Sequence, residues 1–266
     1  MINWTLYKRG VQGSLRMLII FAAVITMYFT VIISMFDPAL GSALDEFAKA
    51  MPELMAMVGM NPASAELVSF LEAYLYGFIM LVFPMIFSML SANKLIARHV
   101  DRGSMTYLLA APVKRETVVF TQMKVMGTGI FVLVLYATLL GIVNCEISFP
   151  GELDIGKFIL LNAGVLCLHL FIGGICFLCS CIFNDSKYAV GVGAGIPALG
   201  FILQMMANAG KELENVKYAT FFTLFDSDGI IAGEPGGVWG MLALFAGAIV
   251  LFSSAIVIFS KKDLHI

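Results

Sequence analysis

One histidine lies inside an apolar stretch of the sequence, where the presence of an ionisable side chain calls for a physical explanation. His169 belongs to residues 158–183, with Gly173, Cys176 and Ser180 near the same helical face. Within a membrane, such a histidine can relay protons or hydrogen-bond a neighbouring helix. Because no acidic or basic residue accompanies it in this stretch, the sequence favours the helix-to-helix hydrogen bond.

The cysteines raise the question of a metal site or a disulfide. There are five, Cys145, Cys167, Cys176, Cys179 and Cys181. Four lie in one apolar stretch and three are spaced C-x-x-C-x-C, but a zinc site would also need ligands from other elements and polar groups behind them. The sequence supplies neither, so it predicts small packing residues and no metal site.

Motifs for nucleotide chemistry and catalysis do not occur in the sequence. No G-x-x-x-x-G-K-[ST] loop is present, since Gly156-Lys157 and Gly210-Lys211 lack the upstream glycine and the following hydroxyl. No Ser/His/Asp set or pair of carboxylates stands out either. We therefore predict no catalytic residue, no cofactor bound by this chain and no ATP hydrolysis by the chain alone.

Composition indicates which elements position these residues. Of 266 residues, 60% are hydrophobic and 13% are charged, against roughly 25% charged in soluble domains. Apolar runs long enough to cross about 30 Å of hydrocarbon cover residues 17–36, 71–92, 118–143, 158–183, 188–208 and 238–259. The sequence predicts an all-α polytopic membrane protein, with residues 1–266 forming a single transmembrane domain of six spans.

The basic residues are distributed unequally between alternate connections. If the termini lie inside, the inner connections hold twelve of the sixteen, namely Lys8, Arg9, Arg16, Lys94, Arg98, Arg102, Lys114, Arg115, Lys124, Lys187, Lys261 and Lys262. The outer connections hold Lys49, Lys157, Lys211 and Lys217. The positive-inside rule then predicts a multi-pass protein of the plasma membrane with both termini in the cytoplasm.

Charged residues are nearly absent from the spans. Only Glu72 and Lys124 occur there, both near span ends. A charge at mid-membrane costs at least about 2.5 kcal/mol, so ion-coupled transporters keep such groups for a purpose. The sequence argues against ion coupling, and any energy for transport must come from outside the chain.

Three connecting segments have an amphipathic or apolar pattern. Residues 4–15 have the spacing of a helix lying along the inner interface. Residues 37–70 predict short helices that either form a passive interfacial lid on the outer leaflet or cap a cavity. Residues 209–237 contain Phe221, Phe222 and Phe225, and this predicts a re-entrant or interfacial apolar hairpin before the sixth span.

The second and fifth spans each carry a proline, and the fifth adds spaced glycines. Pro84 removes a backbone hydrogen bond and predicts a kink in the second span. Gly191 and Gly195 are four residues apart, with Pro197 beyond them. Within a membrane span, small residues at this spacing predict close packing against a partner helix.

A short charged segment, residues 97–117, separates the second and third spans and reads ARHVDRGSMTYLLAAPVKRET. Ser104, which follows Gly103, can cap a short helix that Pro112 ends. This helix would have about seven residues and a length of roughly 10 Å. A second helix is predicted to begin around Glu116, whose charge suits a helix N-terminus, and to continue into the third span.

The segment combines an apolar patch with basic flanks. Met105, Leu108 and Leu109 fall on one face of the short helix, at positions i, i+3 and i+4. The flanking cations are Arg98, Arg102, Lys114 and Arg115. A solvated interfacial turn with basic anchors explains the segment equally well, but we interpret it as a docking element.

The order of these segments resembles the type-two ABC transporter permeases. The specific match is VDRGSMTYLLAAPVKRETVV, with Ser104 where threonine is usual, and the closing FSKKDL after the sixth span is similar to the usual end of that family. The resemblance covers the whole chain in architecture and about thirty residues in motif.

The resemblance implies a permease that pairs with a second permease chain, as a homodimer or heterodimer, and with separate ATP-binding cassette subunits that hold ATP and Mg. Met105, Leu108 and Leu109 would be the apolar contacts with the ATPase. Arg102, Gly103, Ser104, Pro112, Lys114 and Arg115 would shape and flank that helix. The partners implied are these subunits and the lipid bilayer, with no nucleic acid.

Other function classes remain open in the sequence. A six-helix channel or a secondary transporter not coupled to ATP should show intramembrane charges or a selectivity ring, and a membrane-anchored scaffold should carry a large soluble domain. The Met- and Phe-rich spans favour export of an amphipathic or apolar substrate such as a lipid, peptide or drug, although these side chains could equally face lipid.

Overall fold

A computed structural model describes residues 2–36, 66–101, 103, 113–208 and 211–262. Within these ranges the chain is helical and contains no strand. The α-helices are α1 (Trp4–Met35), α2 (Leu67–Leu71), α3 (Ile79–Ala92), α4 (Arg98–Asp101), α5 (Arg115–Ser148), α6 (Ile155–Ile182), α7 (Ser186–Asn208), α8 (Ser227–Ala232) and α9 (Pro235–Lys261). Two π-helical turns, Glu72–Tyr76 and Asn93–Ala97, and two 3₁₀ helices, Lys211–Ala219 and Phe221–Leu224, complete the described elements.

The six predicted spans are confirmed as six apolar helices long enough to cross a membrane. They are α1, the continuous run Ile79–Asp101, α5, α6, α7 and α9. Residues 37–65 of the first outer connection lie outside the described residues, so the short helices expected there stay a prediction.

The first helix is longer than a span requires. Its 32 residues measure about 48 Å, so the predicted interfacial segment is not a separate helix but the first turns of α1. Asn3 caps this helix by accepting from the Leu6 N–H. The Tyr7 hydroxyl hydrogen-bonds the Thr128 hydroxyl at 2.9 Å, which attaches the start of α1 to α5.

One backbone carbonyl of the second span, that of Met80, links the roles of Pro84 and His169. Proline at position 84 has no N–H to offer the carbonyl four residues earlier, that of Met80. His169 of α6 is fully buried, and its Nε2 lies 2.7 Å from that oxygen and donates to it. The predicted helix-to-helix hydrogen bond of His169 is thus confirmed. The backbone interruption itself falls at Phe78, with φ −134° and ψ −57°.

Helix α6 lies at the centre of the bundle. It contacts α3, α5, α7, α8 and α9, and its buried positions include the polar residues Asn162, His169 and Ser180. Cys176 donates to the Gly193 carbonyl of α7 at 3.1 Å. This contact agrees with the interpretation of the cysteines as packing residues.

The segment between α7 and α9 folds as a short helical hairpin against the bundle. Phe222 and Phe225 are buried within it. Asp226 caps α8 by accepting from the Gly229 N–H, and Gly233 ends α8 with φ 73°, a conformation that favours glycine. The predicted apolar hairpin is therefore a set of short helices packed on protein.

Candidate functional site

The centre of the predicted docking segment lies outside the described residues. Arg102, Ser104, Met105, Leu108, Leu109 and Pro112 belong to that part, so their predicted contacts stay predictions. The structure describes Gly103, Lys114 and Arg115, and with them the two ends of the segment.

At its start, the segment is a direct continuation of the second span. Helix α3 passes through the π-helical turn Asn93–Ala97 into α4, which ends at Asp101. Gly103 then adopts φ 65°, and its N–H donates to the Val100 carbonyl at 3.0 Å. An added Cβ at position 103 would meet nothing within 4 Å, so glycine is favoured there by its backbone conformation.

At its end, the segment passes directly into the third span. Lys114 is the N-cap of α5, with extended backbone, and its carbonyl accepts from the N–H groups of Thr117 and Val118. Glu116 lies in the first turn, where a carboxylate complements the helix dipole. The helix start that the sequence predicts around Glu116 is confirmed.

Side chains brace both ends of the segment against other spans. On one side, Ser186 at the start of α7 donates to Asp101 Oδ2 at 2.8 Å. On the other, Arg115 Nη1 donates to the Lys262 carbonyl at 3.0 Å, just beyond α9. The segment is therefore linked to the fifth and sixth spans as well as to the two spans that it joins.

Lys262 extends this bracing to the fourth span. Its ammonium donates to the carbonyls of Cys181 and Phe183 at the end of α6, at 3.0 and 2.9 Å. Cys181 lies in the last turn of α6 and Phe183 is its C-cap, and cations are favourable at this end of a helix. A displacement of the segment would consequently reach α5, α6, α7 and α9 through hydrogen bonds at their ends.

The glycines of the fifth span divide between two faces of α7. A Cβ added at Gly191 or Gly195 would meet nothing within 4 Å, so these two predicted packing glycines contact no helix among the described residues. Gly193 packs instead, and a Cβ there would lie 3.1 Å from Cys179 Cβ. Pro197 is buried on this second face.

Sequence reasoning missed two features of this molecule. The packing role of Gly193 could not be predicted, because Gly191, Gly193 and Gly195 all lack a side chain and only the position of α6 determines which of them is in contact. Glu72, interpreted as a span-end residue, is only 5% exposed and accepts a hydrogen bond from Ser227 of α8. An isolated acid within an apolar helical run was the signal that could have found it.

Comparison with known proteins agrees with the architecture. A search of curated proteins finds no match. The profile of the family described as ABC-2 family transporter protein matches residues 4–264, nearly the whole chain. With six spanning helices and the second and third spans joined by a braced charged segment, this chain belongs to the ABC-2 transporter family.

Proposed function

We propose that the chain is the permease subunit of an ATP-driven exporter in the plasma membrane, with both termini in the cytoplasm. Family membership supports association with an ATP-binding subunit and with the membrane. ATP and Mg would be bound by that subunit, and the substrate would be an amphipathic or apolar molecule such as a lipid, peptide or drug.

The bracing of residues 97–117 is the observation that most strongly supports this proposal. Hydrogen bonds from Ser186 and Arg115 attach the two ends of the segment to spans outside it. An ATPase that seats on Met105, Leu108 and Leu109 would therefore move several helix ends together when it closes on nucleotide. Such rigid-body transmission is a common way to couple a site to distant elements.

A second permease chain completes the proposed assembly. The face of α7 with Gly191 and Gly195 also exposes Ile196 and Leu199. Small residues allow two helix backbones to approach closely within a membrane. This face supports a seam with a second copy or a related permease.

The docking proposal is tested by replacing Leu108 and Leu109 together with aspartate. A carboxylate without a partner in an apolar groove costs several kcal/mol, so the double variant should insert and fold but lose its co-purifying ATP-binding subunit. Leu108→Met with Leu109→Met is the matched control, because it keeps both side chains apolar and should retain the subunit.

The stability of the double variant in detergent separates lost docking from lost folding. If the aspartate variant is as stable as the wild type and still co-purifies its ATP-binding subunit, residues 97–117 are an ordinary interfacial turn.

A further inference from the structure

A cavity of about 460 Å³ lies between the turn Glu72–Tyr76, the C-terminal part of α7 and the hairpin before α9. Its size falls within the range of small-molecule sites, roughly 300–1,000 Å³. Nothing in the docking proposal uses this cavity, which lies away from the end of the bundle that carries residues 97–117.

Acidic side chains give the cavity its charge. Glu72, Asp226 and Asp228 line it, against one cation, Lys217. The Asp226 carboxylate caps α8 by accepting from the Gly229 N–H. The ammonium of Lys217 lies 5.4 Å from the ring centre of Tyr218. The acids outnumber the base, so the cavity favours a positively charged occupant.

Glu72 is the buried member of this set. It lies in the turn before the spanning helix begins at Ile79, and it is 5% exposed. Burial raises its pKa to about 7, although the hydrogen bond from Ser227 opposes the rise. A carboxylate in such surroundings gains more from a cationic partner than an exposed carboxylate does, because water no longer solvates it.

Aromatic side chains also line the cavity. Phe201 of α7 and Phe222 of the hairpin meet edge to face, with their ring centres 5.8 Å apart, and Phe225 also lines the space. Aromatic faces attract organic cations as well as apolar groups. Among the described residues no three His, Cys, Asp or Glu side chains converge as a metal site requires, so the pattern fits an organic cation better than a metal ion.

We propose that this cavity binds an organic cation with an apolar body, and that Glu72 and Asp228 hold its positive charge while Phe201 and Phe222 hold the body. This narrows the substrate class of the proposed exporter, and in that respect it rests on the proposed function. The binding itself requires no ATPase, so the two proposals can fail separately.

The test uses two probes of matched shape and opposite charge, tetraphenylphosphonium and tetraphenylborate. Binding is measured on the purified full-length chain in lipid nanodiscs, and empty nanodiscs provide the background for partition into lipid. The phosphonium should bind above this background and the borate should not. Glu72→Gln should weaken phosphonium binding by about tenfold.

Asp228→Asn provides a second cavity variant in case Glu72→Gln does not fold, and Glu152→Gln controls for the change of charge. Asp228→Asn also removes a charge from the cavity, at an exposed side chain, and should weaken binding by a factor of a few. Glu152→Gln makes the same charge change at an exposed residue that does not line the cavity, and should leave binding unchanged.

The pH dependence isolates Glu72. The phosphonium charge is permanent, so binding should tighten between pH 6 and pH 8 as Glu72 loses its proton. Asp226, Asp228 and Lys217 face the same space and remain in Glu72→Gln, so the part of the pH dependence that disappears in this variant belongs to Glu72.

Equal binding of the two probes, or unchanged phosphonium binding in both Glu72→Gln and Asp228→Asn, would overturn the proposal. Co-purification of the ATP-binding subunit is unaffected by these results and tests the exporter assignment on its own.

Discussion

The carbonyl of Met80 shows how one residue choice determines another in this chain. Pro84 cannot donate to it, and an unsatisfied carbonyl within a membrane bundle is costly. His169 takes the place of the missing N–H, at 2.7 Å. The histidine is thereby explained as the partner of a proline-freed backbone group, and a proton relay is not needed to account for it.

We expect His169→Leu to lower the free energy of unfolding by about 1–2 kcal/mol, because the Met80 carbonyl loses its donor. In a Pro84→Ala background the same change should cost less, since the restored N–H at position 84 can reach that carbonyl. Thermal or denaturant unfolding in mixed micelles measures both. An equal cost of His169→Leu in the two backgrounds would refute the shared-carbonyl explanation.

At the scale of elements, Lys262 joins two helix ends. Lys262→Met removes both hydrogen bonds to the end of α6, and we expect a loss of about 1–2 kcal/mol of stability. Lys261→Met removes the same charge one residue away, where the side chain is exposed, and should change stability by less than about 0.5 kcal/mol. Thermal unfolding that shifts equally in the two variants would contradict the bracing role.

Substitutions on the two faces of α7 should have opposite effects on the stability of the single chain. Gly193→Leu should destabilise it, because the added Cβ alone would lie 3.1 Å from the Cys179 Cβ and 3.4 Å from the Cys176 Cα, with no room for the rest of the leucine side chain. Gly191→Leu and Gly195→Leu have open space within the chain, so they should leave its stability unchanged and weaken association between permease chains. Unfolding and cysteine cross-linking yields measure the two effects, and full cross-linking in both outer-face variants would exclude the proposed seam.

The sequence predicts the helices far better than it predicts which face of a helix packs against its neighbours. Six spans and the start of α5 follow from apolar length, charge and the residues at helix ends, which are local properties. The choice of Gly193 over Gly191 depends on where α6 lies, and the start of α1 is attached to α5 by hydrogen bonds of Asn3 and Tyr7 to distant residues. Neither contact can be predicted from the local sequence pattern.

At the scale of the molecule, the hydrogen bonds at one end of the helix bundle and the cavity at the other end suggest separate roles for the two ends. Residues 97–117 are hydrogen-bonded to the start of α7 and the end of α9, while the acidic and aromatic cavity lies beside the hairpin between α7 and α9. The charge asymmetry of the sequence predicts that the end with residues 97–117 faces the cytoplasm. The burial of Glu72 could not be predicted from that asymmetry, because it depends on α8 lying against the turn Glu72–Tyr76.

The most direct test of the account is a photo-reactive amino acid placed at position 108, with position 218 as the control. Tyr218 is 77% exposed and lies in a predicted outer connection, so the pair tests docking and sidedness together. After irradiation of intact cells, position 108 should yield an adduct with a protein that contains an ATP-binding cassette and its phosphate-binding loop, and position 218 should not. An adduct with that protein at position 218, or none at position 108 while the wild-type chain still co-purifies it, would contradict the account.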